Sequence, residues 1–259
     1  DQQWPASAYG ADPTADGRMR AVSSPGGGAG SGSPAMSIAT TFTGRSPKDS
    51  PWGWGWSGPQ DQSLTLRNGG AIRLSDGSGA DRNYFPPAPG APGGPDLYRS
   101  PLLGFGVFTV TERELDGTPK KATLREKDNA VFAFERTPGT KTMPLTRFTD
   151  RNGNFLDYAR DAQGRVQSVT DDHGRTLTLA YHATSGRVTS VTDHASRVVS
   201  FVYGATGLKE SETGPKGATL YEYDASTRIT KVTFPNGGWR AFTYDAQDRV
   251  LTETELLDG

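Results

Sequence analysis

The sequence predicts an all-β chain built from tandem antiparallel β-hairpins, and three features of its carboxyl-terminal half carry that expectation. Thr149, Thr170, Thr192, Thr213, Thr233 and Thr254 recur at separations of 21, 22, 21, 20 and 21 residues, a fixed period of the kind that marks repeat architectures. Tyr158, Tyr181, Tyr203, Tyr223 and Tyr244 form one column of that repeat, with Leu156, Leu179, Phe201, Tyr221 and Phe242 two residues earlier. Residues i and i−2 of a strand share a face, so each unit turns an aromatic and an apolar group to one buried side. Turn phrases such as Asp161-Ala162-Gln163-Gly164 and Asp171-Asp172-His173-Gly174 place an Asp that can bond the backbone beside a Gly that accepts positive φ.

Residues 1–34 read as an amino-terminal segment followed by a linker. Trp4 and Tyr9 lie in a stretch without periodicity, a tail or a piece docked through its aromatics, and the run from Ser23 to Pro34 is Gly/Ser/Pro-rich. Residues 35–148 form a β-rich opening region. Ser63-Leu64-Thr65-Leu66 precedes Asn68-Gly69-Gly70, and Ala71-Ile72-Arg73-Leu74 precedes Asp76-Gly77, which predicts strands joined by tight turns. Tyr84 to Pro95 holds Pro86, Pro87 and Pro89, cannot supply ladder donors, and is expected to be an exposed loop. Strands are expected again at Gly106 to Val110 and Ala130 to Phe134. Sixteen of the 18 prolines lie at or before Pro144, so the repeat region is set apart by composition too.

Residues 149–259 then hold five complete hairpin units and a sixth begun. Positions opposite the aromatic column, such as Thr176, Thr178, Ala180 and Thr243, are small or hydroxylated and suit a wetter face. The second strand of a unit breaks simple alternation, because Val166 and Val169, like Val188 and Val191, are three apart. A bulge or burial of both faces would reconcile them. Ten strands at roughly 4.8 Å spacing would span about 48 Å, so a curved or spiralling sheet is expected.

Composition excludes several chemistries. There is no Cys, which removes disulfides, thiolate nucleophiles and Cys-ligated metals. Lys and Arg number 28 against 29 Asp and Glu, which argues against a nucleic-acid footprint. No apolar stretch approaches the roughly 20 residues that span a bilayer. His173, His182 and His194 fall in or next to turns of successive units and read as surface positions, not as a ligand cluster. Asp150 to Asn154 with Asp161 superficially fits a calcium loop, but Phe155 stands where that loop needs Gly, so an ordinary turn is expected, as it is for Asp171-Asp172. No catalytic residue, cofactor or metal is expected. Trp52, Trp54 and Trp56 alternate with glycines and, as one strand, would share a face able to stack on a sugar or a protein. The preferred alternative makes them a plug where the repeat sheet begins.

Tyr223-Asp224-Ala225-Ser226-Thr227-Arg228-Ile229 and Tyr244-Asp245-Ala246-Gln247-Asp248-Arg249-Val250, with Tyr158 to Val169 and Tyr181 to Val191, resemble the Tyr-Asp (YD) repeats of RHS-family proteins. Asp150-Arg151-Asn152-Gly153-Asn154 is similar to the phrase that leads into such arrays, and Pro51 to Trp56 resembles the glycine-aromatic phrase that opens the RHS core. Departures occur at Tyr158-Ala159, Tyr181-His182, Tyr203-Gly204 and Gly207-Leu208. The resemblance implies a hollow β-shell that encloses a toxic domain, as in bacterial polymorphic toxins and Tc-toxin components, or serves surface adhesion, as in teneurins. It implies extracellular or cell-surface work, with further repeats of a longer protein as partners, or a glycan or protein ligand. A start at Asp1 without Met fits a mature exported chain or a trimmed piece, and an end inside the turn of the sixth unit reads as a fragment of a longer protein.

Overall fold

A computed structural model describes residues 11–13, 19–23, 38–43, 49–77, 81–100 and 106–256, with side chains from Ile38 onward. Trp4, Tyr9 and most of the predicted linker lie outside the described residues. The chain is all-β, and among the described residues two short 3-10 turns lie at Pro59–Asp61 and Asn68–Gly70. Its first strands are β1 (Ala11–Pro13), β2 (Met19–Ser23), β3 (Thr40–Phe42), β4 (Asp49–Ser50), β5 (Gly53–Trp54) and β6 (Trp56–Ser57). There follow β7 (Ser63–Leu66), β8 (Ile72–Ser75), β9 (Asp81–Tyr84), β10 (Leu97–Tyr98), β11 (Val107–Arg113), β12 (Pro119–Arg125), β13 (Val131–Glu135), β14 (Thr142–Thr149), β15 (Phe155–Arg160) and β16 (Val166–Asp171). The last are β17 (Thr176–Tyr181), β18 (Val188–Thr192), β19 (Val198–Tyr203), β20 (Lys209–Gly214), β21 (Gly217–Tyr223), β22 (Ile229–Thr233), β23 (Trp239–Tyr244) and β24 (Val250–Leu256). Strands β15/β16, β17/β18, β19/β20, β21/β22 and β23/β24 pair as the five predicted hairpins, here numbered one to five.

Compactness divides the chain at other places than the repeat pattern does. One unit is Gly58–Thr176; the other joins Ser37–Ser57, with β1 and β2, to Leu177–Gly259. The cut falls inside the repeats because residues before Gly58 pack on the later hairpins.

In the Gly58–Thr176 unit, β10 to β16 form a continuous antiparallel meander. Strand β14 also serves a second partner: Thr142, Met143 and Pro144 pair with Thr65, Leu64 and Ser63 of β7, which continues through β8 to β9. Pro144 lacks an amide, and it sits where β14 changes from one partner to the other. Leu64, Ile72, Leu74, Tyr84, Phe108, Leu124, Phe134 and Met143 build a closed core, and Tyr158 of hairpin one packs against it. The loop after Tyr84 is largely exposed as expected, and its ends are tied by the Phe85–Arg99 bridge.

In the other unit, β17 to β24 run as a meander in sequence order, each strand bonded to the next. The preceding segment adds a small sheet in the order β1-β2-β3-β6 and a separate β4–β5 pair. All five hairpins share one irregularity. Opposite Ala159–Arg160, Ala180–Tyr181, Val202–Tyr203, Glu222–Tyr223 and Thr243–Tyr244, the partner strand spends one extra residue, namely Gln167, Thr189, Glu210, Thr230 or Leu251. This bulge resolves the three-residue spacing, since skipping one residue returns Val166 and Val169, or Val188 and Val191, to the same buried face. The opposite face is wetter, although Val198, Val202 and Leu220 stay about half exposed on it.

Candidate functional site

The repeat turns are pinned by side chains. In Asp161, Asp171, Asp193, Asp224 and Asp245, Oδ1 accepts the backbone N–H groups two and four residues on, and Oδ2 accepts Nε of the Arg four residues on. Burial alone would raise the carboxyls of Asp161, Asp171, Asp193 and Asp224, but the arginine and the backbone donors together hold each below its ordinary value. Asp150 makes the same turn with Asn154 in the arginine's place. The candidate calcium phrase is thus satisfied internally. Asp171, Asp172 and His173 lie within reach of one another, yet the Asp171 oxygens are already engaged by this turn. All three histidines are exposed at turn positions.

The Tyr column joins one hairpin to the next. Tyr223 donates its hydroxyl to the Lys209 carbonyl at 2.7 Å, and Tyr244 donates to the Ile229 carbonyl, in each case at the bulge of the preceding hairpin. Burial pushes the Tyr158 phenol up to about 12, and raises those of Tyr203, Tyr223 and Tyr244 as well. The hydroxyls of Tyr203, Tyr223 and Tyr244 are therefore neutral donors. Tyr158 stands outside this column, because in hairpin one it pairs with Val169 as Leu179 pairs with Val191, and Arg160 takes the place opposite the bulge that Tyr181 holds in hairpin two.

Residues 38–43 and 49–57 lie as a strap on this face, and they dock where the repeat departs from its own pattern. In hairpin two, His182 stands in the Asp position, so Arg187 has no turn carboxylate and reaches instead to the Asp49 carboxylate and the Ser50 carbonyl. The Pro51 carbonyl accepts the Val188 N–H at 2.8 Å and the Tyr203 hydroxyl at 3.4 Å. In hairpin three, Gly204 and Leu208 replace the Asp and the Arg together, while the backbone turn persists through Gly204 N–H to Leu208 O at 2.9 Å. The Gly207 carbonyl then accepts the Trp54 N–H at 3.1 Å. A Cβ on Gly207 would run into the Arg187 guanidinium, and one on Gly53 would sit 3.2 Å from the Gly207 carbonyl.

The tryptophans do not line one face. Gly53 and Gly55 take φ values of +107° and +77°, which breaks the segment into β5 and β6 and sends the rings different ways. Trp52 is buried edge-on against Phe201, and Trp56 is buried against Tyr221 and Phe42 with its indole N–H on the Tyr223 hydroxyl at 3.2 Å. Trp54 keeps 37% of its surface exposed. Each buried indole removes roughly 150–250 Å² from water, an upper estimate of about 4–6 kcal/mol in transfer terms.

Beneath Trp56 lies a group that the sequence reading did not single out. Lys209 is fully buried, with Nζ 3.4 Å from the centre of the Trp56 ring, 3.1 Å from Thr40 Oγ1 and 3.3 Å from Glu212 Oε2. Burial pushes the ammonium down to about 8 against the opposing pull of Glu212. Aligning the bulge columns would have revealed it, since Lys209 and Glu212 stand where hairpins two and four have Val188 with Val191 and Ile229 with Val232.

The Teneurin YD-shell family profile matches residues 120–255, just over half of the chain. The chain belongs to this YD-repeat shell family. Teneurin-4 of Mus musculus and teneurin-4 of Homo sapiens are each 31% identical to it over 112 residues, which is 43% of this chain and 4% of theirs. Among solved structures, the TcdB2-TccC3-Cdc42 crystal structure aligns over 91% of this chain and 16% of its own at 11% identity and a TM-score of 0.40. A Tc holotoxin pore of Photorhabdus luminescens aligns over 92% of this chain and 18% of its own at 10% identity and a TM-score of 0.34.

Proposed function

We propose that this chain is a non-catalytic wall segment of a secreted or cell-surface YD-repeat protein, in which its hairpins form part of a β-shell that encloses or displays another domain. The observation that carries this reading is the use to which the repeat's own signature residues are put. The turn Asp and Arg side chains bond each other and the turn backbone, and Tyr203, Tyr223 and Tyr244 bond neighbouring backbone. Residues repeated for packing build surface area, not a reaction centre. Further repeats of a longer protein are its natural partners, because β24 is a solvent-exposed strand able to extend an antiparallel meander.

The native mass of the protein isolated from its own source tests this. An assembly that contains additional polypeptide protected from protease is the expected result. A free chain near 27.7 kDa, or turnover on a broad panel of hydrolase substrates, would contradict it.

A second reading, an extracellular module that binds a glycan or a protein, is favoured by a cavity of about 610 Å³ in the proline-rich loop, lined by Phe85, Pro86, Pro87, Leu97 and Arg99. Phe85 itself is half exposed. Loss of binding to an immobilised glycan or protein array in Phe85→Ala, with an unchanged unfolding midpoint, would favour that module over the wall.

A further inference from the structure

The face that receives the strap is nearly the same from one hairpin to the next. Leu179, Phe201, Tyr221 and Phe242 repeat along one column, and Tyr181, Tyr203, Tyr223 and Tyr244 along another. Successive hairpins are offset by two strand spacings, roughly 9.6 Å. An apolar strap carrying two indoles would find similar apolar or aromatic seats one hairpin to either side. Hydrophobic contact is non-directional, so burial of Trp52 and Trp56 supplies affinity without choosing among these seats.

Besides the departures at the turns of hairpins two and three, one locus buried within this face is different. Lys209 and Glu212 replace the valine pair of hairpin two, and both are buried. Thr219, cross-strand from Glu212, is also buried, and its hydroxyl has no hydrogen-bond partner. Its counterparts on β17 and β19 are Leu177 and Val199. This polar island meets the strap through Thr40 Oγ1 and the face of Trp56, the two strap groups able to accept a hydrogen bond or face a cation at that point.

We infer that the Lys209–Glu212 pair is a register key, which costs stability and in return makes the strap dock on one hairpin out of several near-equivalent ones. A buried ion pair is rarely a gain over well-packed apolar residues of similar volume, because desolvation of two charges offsets their attraction. A single buried polar group that fixes register is the best attested use of such a cost. The depressed ammonium agrees with this balance: the site disfavours the lysine charge even with Glu212 beside it. A strap shifted by one hairpin would leave Lys209 and Glu212 without Thr40 and the indole, and would set Thr40 against valine or isoleucine. The device works whatever the shell contains, and so stands apart from the proposed function.

The test uses the full chain with K209V, E212V and the double variant K209V/E212V, which copies the valine pair of hairpin two. Each single variant strands a buried charge and lowers the urea midpoint; the double variant returns it to the wild-type value or above. The register readout is the Trp56 indole N–H signal together with exchange of the Trp54 amide. In the double variant the single indole signal splits or shifts, and Trp54 protection falls at least about tenfold, which corresponds to about 1.4 kcal/mol of opening free energy. Because valine leaves volume unfilled beneath Trp56, K209M/E212L is measured alongside. One indole signal and wild-type Trp54 protection in either folded double variant would overturn the proposal. So would failure of both double variants to fold, since the pair would then be a source of stability.

Discussion

Hairpins three and five are built on the same plan and treat their turns in opposite ways. In hairpin five, Asp245 accepts the N–H groups of Gln247 and Arg249 and the Arg249 guanidinium, so the turn is complete in itself. In hairpin three, Gly204 and Leu208 remove both members of that pin, and the Gly207 carbonyl is bonded by Trp54 of the strap. The backbone turns are alike; what differs is whether the side chains close the turn or leave it open to another segment. The lesson is that divergence within a repeat marks a docking place. His182, Gly204, Leu208, Lys209 and Glu212 are departures from the repeat pattern, and all five belong to hairpins two and three, on which residues 49–54 lie.

The largest contrast is expected from Trp56→Ala, which removes the strap's main anchor on hairpins three and four. A loss of about 3–5 kcal/mol, read as a fall in the urea midpoint, is expected. A surface position of hairpin five such as Thr254→Ala would stay within about 0.5 kcal/mol.

Next in size are the turn pins. Asp193 is buried and serves two backbone N–H groups as well as Arg197, so Asp193→Asn is expected to cost about 2 kcal/mol at neutral pH. The carboxyls of Asp161, Asp171, Asp193 and Asp224 are depressed in the folded chain. Their contribution is therefore present above the unfolded carboxylate value of about 3.9 and is lost as pH falls through the lower folded values. The melting temperature should hold down to about pH 5 and then drop, and the gap between wild type and Asp193→Asn should narrow in acid. A gap that stays constant to pH 2 would contradict the ionised pin.

His182→Asp gives a smaller and less intuitive effect. It places a carboxylate after Tyr181, in a turn one residue longer than the pinned ones, and a carboxylate there competes with Asp49 and the Ser50 carbonyl for the Arg187 guanidinium. Exchange of the Trp54 amide should quicken by about tenfold while hairpin two itself is no less stable. Smallest of all is Tyr244→Phe, which deletes the hydroxyl donated to the Ile229 carbonyl and should cost about 1 kcal/mol by thermal unfolding.

Much of this was legible in the sequence because it depends on period and turn chemistry. The five hairpins and the Asp-centred turns follow from spacing, as does the buried aromatic column of hairpins two to five, whereas in hairpin one the spacing sets the column two residues early, at Tyr158 instead of Arg160. The strands at 63–66 and 72–75 follow from alternation beside turn residues. Strands β12 and β14 were not singled out, since Lys120, Lys121, Arg147 and Pro144 blur their alternation. Two conformations of Gly53 and Gly55 decide where the three indoles point, and a Gly in sequence does not disclose the sign of its φ. The departures at His182, Gly204 and Leu208 were visible as divergence. Their meaning was not, because a repeat read one unit at a time does not reveal that a segment more than 120 residues upstream fills the gaps they leave.

Amide hydrogen exchange resolved at Trp54 and Val188 probes the strap's docking most directly. Trp54 donates to Gly207 and Val188 donates to Pro51, one bond from each side of the contact, so release of the strap frees both. The expected result is two amides that are strongly protected and exchange at one common rate, slower than the turn amides of hairpin five. A freely exchanging Trp54 beside fully protected strands in hairpins two and three would mean that the strap does not rest on the repeat face.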